Sequence, residues 1–191
     1  MKKGNLFKLL LAFTLIFSIS LPLVNETANA AANVSYMLNK KKVYTYKDYS
    51  INKTYEAKYD KKQHEEIAFY ELQSDGKGFT CYTDYKCYSE NKEGLYKVEL
   101  DDNELLKYPV KVNKTWETSY GETRKITAIK TIKVKAGTYK NVVVVKVTKP
   151  EDKKAYSIEY YAPNVGLILK EVNNSETKYK TTKQLELIKV K

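Results

Sequence analysis

The sequence predicts an all-β protein: an antiparallel meander forming a curved sheet, an open barrel or a sandwich. Three observations carry that expectation. Apolar residues recur with a period of two almost throughout, as in Tyr96, Val98 and Leu100 or in Tyr156, Ile158, Tyr160 and Ala162. Tyrosine, valine, isoleucine and threonine abound, and the 18 tyrosines among 191 residues suit half-buried, pleated strands. Turn signals separate the runs at Ser74 to Gly78, Asn91 to Gly94, Asp101-Asp102-Asn103, Ala136-Gly137, Lys149 to Asp152 and Asn173-Asn174-Ser175. Alternating runs punctuated in this way read as consecutive hairpins.

The first element is a targeting segment. Lys2, Lys3 and Lys8 flank an apolar run from Leu9 to Val24, and Ala28-Asn29-Ala30 supplies small residues just before a cleavage point. This is the pattern of a secretory signal peptide over residues 1–30, cut between Ala30 and Ala31. The apolar core is shorter than the roughly 20 residues a spanning helix needs, and Pro22 interrupts it. Residues 31–191 are then one secreted β-rich domain, long enough for its own core. Without a lipid-anchor cysteine, a second apolar span or a sorting tail, cleavage and release are expected, with no integral membrane span left.

Within that domain, residues 31–42 read as a loose lead-in. Tyr44, Tyr46, Tyr49, Tyr55 and Tyr59 follow, interleaved with Lys47, Lys53 and Lys58. Tyr59 to Tyr70 fits neither period cleanly, and the charged neighbours of His64 suggest a solvated turn. Phe79 to Tyr88 reads as a hairpin closed by Thr83-Asp84-Tyr85, which sets Tyr82 opposite Lys86 and Cys81 opposite Cys87. Opposed residues of an antiparallel pair stand about 4.5–5.5 Å apart at Cα, within disulfide reach. Export permits oxidation, so a Cys81–Cys87 disulfide is expected. Ile126, Ala128, Ile132 and Val134 share a parity that Lys130 breaks. Val142 to Val145 with Val147 reads as a central strand covered on both faces.

Charge narrows the partners. The net charge of +11 falls to +9 once the signal peptide removes three lysines and Glu26. Arg124 is the sole arginine. Arginine supplies the rigid fork that reads base edges, so sequence-specific nucleic-acid binding is not expected. Diffuse attraction to extracellular polyanions is: wall teichoic acid, anionic lipid or polysaccharide. Scattered lysines also solubilise a β-protein and protect its sheet edges.

No catalytic constellation is visible. His64, the only histidine, lies outside any H-E-x-x-H motif, and no G-x-S-x-G turn accompanies it. Two cysteines and one histidine fall short of a zinc site, and no metal or cofactor is expected. Glu99, Asp101, Asp102, Glu117, Glu122 and Glu159 could pair as in glycoside hydrolases, but nothing selects two of them. Exposed tyrosines beside lysines can stack on sugars or meet lipid while the lysines attract anions. Tyr44, Tyr46, Tyr49, Lys47 and Lys53 are the candidate ligand contacts on that ground, against the simpler reading that they pack strands.

Three stretches carry a resemblance. Leu106 to Trp116 is similar to a "yP-l-x-v-G-x-x-W" segment, Val134 to Val142 to "v-x-A-G-x-F-x-n-v", and Tyr160 to Lys170 to "yYAxGvGlvk". In this order they resemble poorly characterised exported proteins and lipoproteins of Gram-positive bacteria, over roughly residues 95–191. The resemblance implies a curled antiparallel sheet and brings no catalytic residues. Asn113 and Asn164 depart from the pattern, although asparagine tolerates the left-handed conformation. Gly137 and Gly166 suit positive φ, Pro109 and Pro163 strand ends, and Trp116 a core position.

The expected function is therefore secreted, extracellular and non-catalytic: binding an anionic envelope or extracellular component, with loose wall association. The alternatives are a carrier of lipid or another apolar ligand in a curled sheet, and a wall-polymer hydrolase using paired carboxylates.

Overall fold

A computed structural model describes residues 34–71, 78–84, 86–98, 103–152 and 154–191. The signal peptide and the Ala30–Ala31 junction lie outside the described residues, as do Ser74 to Lys77, Tyr85, Glu99, Asp101 and Asp102. Among the described residues the fold is all-β with one helix. Its strands are β1 (Val43–Asp48), β2 (Lys53–Lys58), β3 (Phe79–Tyr82), β4 (Lys86–Glu90), β5 (Gly94–Lys97) and β6 (Asn103–Lys107). They continue with β7 (Thr115–Glu117), β8 (Thr123–Val134), β9 (Gly137–Thr148), β10 (Tyr156–Ala162), β11 (Gly166–Asn173) and β12 (Thr182–Val190). Helix α1 spans Lys61–Glu71.

These strands make two open antiparallel sheets facing each other as a sandwich. One has eight strands in the order β2-β1-β12-β11-β10-β9-β8-β7, and the other is a β3-β4-β5-β6 meander. Neither closes into a barrel. The expected meander holds from β7 to β12; the β1–β2 hairpin joins its far side because β1 pairs with β12, Tyr44 opposite Val190. Register shifts at Ile126/Ala128 and Lys130/Ile132 bend the long β8–β9 hairpin, which accounts for the broken parity at Lys130. The bend returns its tip to β12, where Ala136 N–H donates to Leu187 O at 3.2 Å.

Curling explains how both faces of β9 are covered. Val143, Val145 and Val147 pack with Leu95, Leu106 and Trp116 between the sheets. Val142 and Val144 turn the other way, into the curl, against Tyr44, Ile168 and Leu187. Trp116 is buried as expected, its indole N–H donating to Glu104 O at 3.0 Å. Asn113 and Asn164 adopt φ of +71° and +57°, so both turns survive without glycine.

Two expectations are corrected. Residues Tyr59 to Tyr70 largely form α1, and His64 lies on it instead of in a solvated turn. Asp60 caps the helix, its carboxylate accepting from Gln63 N–H at 3.1 Å. The His64 ring lies 5.0 Å from that of Phe79, centroid to centroid. The lead-in is not loose either, over its described part. Ser35 O accepts from Asn164 N–H at 2.7 Å, and Tyr36 is buried with its N–H on Glu90 Oε1 at 2.8 Å.

Candidate functional site

The Cys81–Cys87 hairpin forms as the spacing predicts. Tyr82 pairs with Lys86, Cys81 with Cys87, and the two sulfurs are bonded across adjacent strands. Asp84 takes the left-handed conformation at φ +61° in the loop. Both cysteines are buried, so the bridge braces the wall of the sandwich nearest β2.

Between the sheets lie two neighbouring chambers. The first, about 470 Å³, is aromatic: Tyr46 and Tyr55 face it from the β1–β2 hairpin, Tyr161 from β10 and Tyr88 from β4. Tyr46 and Tyr55 stack at 5.6 Å, and the Lys86 ammonium sits 3.6 Å over the Tyr55 ring. Such a cation–ring contact is strongest where water is excluded. Burial, ahead of the neighbouring Asp48 and Asp84 charges, pushes the Tyr55 hydroxyl up to about 12. Burial also depresses Lys86, against the opposing pull of Asp84.

The second chamber, about 430 Å³, is polar. Arg124, Glu122, Lys149, Asn103, Tyr156 and Asn173 line it. Lys97, Leu105, Glu159 and Lys170 belong to both chambers and form the partition between them. Both volumes fall in the range of small-molecule sites, about 300–1,000 Å³.

Glu159 organises this partition. Its carboxylate accepts from Arg124 Nη1 at 2.9 Å and Tyr161 Oη at 2.6 Å, and pairs with Lys170 Nζ at 3.2 Å. Burial alone would raise its pKa. The Arg124 and Lys170 charges, with the two hydrogen bonds, overcome that and hold it at about 2. Arg124 Nη2 reaches Glu122 at 3.2 Å. Glu159 and Glu122 thus share one guanidinium, and Glu159 carries no proton to give at neutral pH. Glu117 stands exposed on β7, away from this group.

The candidate contacts read from the sequence separate. Tyr46 alone lines a chamber, its hydroxyl donating to Leu167 O at 2.8 Å. Tyr44 is fully buried, and its hydroxyl accepts from Asn39 N–H at 2.8 Å. Tyr49 donates to Glu186 Oε2 at 2.6 Å, and Lys47 reaches Asn52 O at 2.9 Å. Lys53 is exposed on β2. Sequence reasoning missed Tyr161, Lys170 and the Arg124–Glu159 pair. The one available signal was the single arginine of a lysine-rich chain, a residue type favoured in buried ion pairs.

Among the described residues no helix is long and apolar enough to cross a membrane. No family model matches the chain, and no curated protein does. A solved structure, that of a candidate exported protein with a YmcC-like fold from Bacteroides fragilis, is similar. It is 11% identical, covers 83% of this chain and 99% of its own, and superposes with a TM-score of 0.47.

Proposed function

We propose that the protein is secreted and acts without catalysis, by holding an anionic component of the cell envelope or extracellular medium between its sheets. Wall teichoic acid, anionic lipid and acidic polysaccharide are the candidate partners. The observation that carries the reading is the basic lining of the cleft: Lys86 and Lys97 reach it from the small sheet, Lys170 and Arg124 from the large one. The net charge of +9 that remains once the signal peptide is lost supports the same sign of partner over longer range. The resemblance of residues 95–191 to exported proteins of Gram-positive bacteria fits this setting. The test is a salt wash of producing cells: the protein should stay on washed cells at low ionic strength and come off as salt rises. Complete recovery in the medium at low salt would sink wall association.

The aromatic chamber favours a second reading, a carrier of an apolar ligand. Gentle purification followed by native mass spectrometry would show co-purified lipid if it holds.

A further inference from the structure

Three residues that line the polar chamber each carry a buried polar atom without a hydrogen-bond partner among the described residues: Arg124 Nε, Asn173 Oδ1 and Asn103 Oδ1. Arg124 and Asn173 are each more than nine-tenths buried. Leaving such groups unpaired in a folded interior costs about 1–3 kcal/mol apiece. Three around one chamber, drawn from both sheets, mark a place built to be completed by another molecule.

Their chemistry restricts that molecule. Arg124 offers only a donor there, because Nη1 and Nη2 are already committed to Glu159 and Glu122. Asn173 offers only an acceptor: its Nδ2 donates to Tyr179 O at 2.7 Å, which fixes the amide's orientation. An inorganic anion without a proton, such as sulfate, would satisfy the arginine and leave the asparagine oxygens bare. An amine would do the reverse. A hydroxyl both donates and accepts, so a group bearing several hydroxyls satisfies all three. Charge adds the rest: among the described residues lining the chamber, Lys97, Lys149, Lys170 and Arg124 outnumber Glu122 and Glu159.

We infer that the chamber between β6 and the β8–β11 strands binds a hydroxyl-rich group carrying negative charge. A uronic-acid saccharide and a polyol phosphate share this chemistry. The inference rests on the reading of the protein as an anion binder and names the part of the anion it recognises. Lys149, exposed at the rim, meets the charge; Asn103, Asn173 and Arg124 meet the hydroxyls.

Calorimetric titration of the secreted protein tests this with digalacturonate, glycerol 3-phosphate, the neutral disaccharide galactobiose and sulfate. Digalacturonate or glycerol 3-phosphate should bind at least tenfold more tightly than galactobiose or sulfate; whichever is tighter identifies the source. Asn103→Ala should weaken that binding about tenfold, and Lys149→Gln should flatten its salt dependence. Neither residue belongs to the apolar core, and a thermal melt confirms that each variant folds. Lys140→Gln, an exposed lysine of β9 that lines neither chamber, should leave binding unchanged. Equal affinity for sulfate and the hydroxyl-bearing anions overturns the inference, as does binding indifferent to both variants. If salt-sensitive retention on washed cells persists in that event, the broader anion-binding reading stands alone. If retention fails too, both fall.

Discussion

Arg124 and Glu159 meet at 2.9 Å in the interior between the sheets, the sole arginine of the chain against a buried carboxylate. The pair spans β8 and β10, with β9 between them, so it ties three strands of the large sheet. Breaking a buried pair by removing one partner leaves an uncompensated charge and costs about 3–5 kcal/mol. Glu159→Gln should lower the unfolding free energy by an amount in that range, read from urea denaturation at pH 7. A loss below 1 kcal/mol would show that the partition is already wet and its charges screened.

Acid should act on the same group. The folded-state pKa of Glu159 is about 2 against an ordinary 4.5. A depressed carboxylate contributes stability that is complete above the ordinary value and disappears as pH falls through the folded one. At about 1.4 kcal/mol per decade the contribution is about 3 kcal/mol, lost between about pH 4.5 and 2. Urea midpoints across that window should fall more steeply in the native protein than in Glu159→Gln. Parallel curves would contradict the assignment.

The disulfide is predicted to matter through the unfolded chain. It closes a short loop, with six residues of separation, and on the entropic account contributes about 2 kcal/mol. The Cys81→Ser, Cys87→Ser double variant should lose about that much, and the native protein should take up no thiol label, folded or in urea, until a reductant opens the bridge. Rapid labelling under native conditions would mean that the thiols are free.

What the sequence made legible follows from what each signal encodes. A period of two reports which way a side chain points, so the strands themselves, the two-sided burial of Val142 to Val145 and the Cys81–Cys87 register were readable. It says nothing about which strands are neighbours. The division into two sheets, and the pairing of β1 with β12 from opposite ends of the chain, therefore lay beyond it. Helix α1 announced itself through short-range pairings alone, the Asp60–Gln63 cap and the Lys61–Glu65 and Lys62–Glu66 pairs at four-residue spacing, without an apolar face of helical period. The chambers depend on residues far apart in sequence, Lys97 with Lys170 or Asn103 with Asn173, and no local pattern brings those together.

Export is testable directly. N-terminal sequencing of the protein recovered from the medium of an expressing bacterial culture should begin at Ala31. A start at Met1, or retention in the membrane fraction, would contradict cleavage after Ala30.

Gly94 tests how tightly the small sheet is fastened. It opens β5 opposite Lys107 of β6, after a turn in which its N–H donates to Asn91 Oδ1 at 3.1 Å. A methyl group placed on its Cα would lie 2.2 Å from the Leu106 backbone carbonyl oxygen. That oxygen belongs to a strand and cannot swing aside as a flexible side chain would. Leu106 is itself fully buried, so moving it disturbs the packing beneath Trp116 and Val145. Overpacking of this kind costs about 1–3 kcal/mol. Gly94→Ala should therefore lower stability within that range, whereas Gly78→Ala, where an added methyl meets nothing within 4 Å, should change it by no more than about 0.5 kcal/mol. Because Leu95 and Leu105, which flank the displaced contact, line the chambers, Gly94→Ala should also weaken ligand binding at temperatures where it remains folded. Equal stability of the two alanine variants would mean that β5 and β6 are held less closely than their register implies.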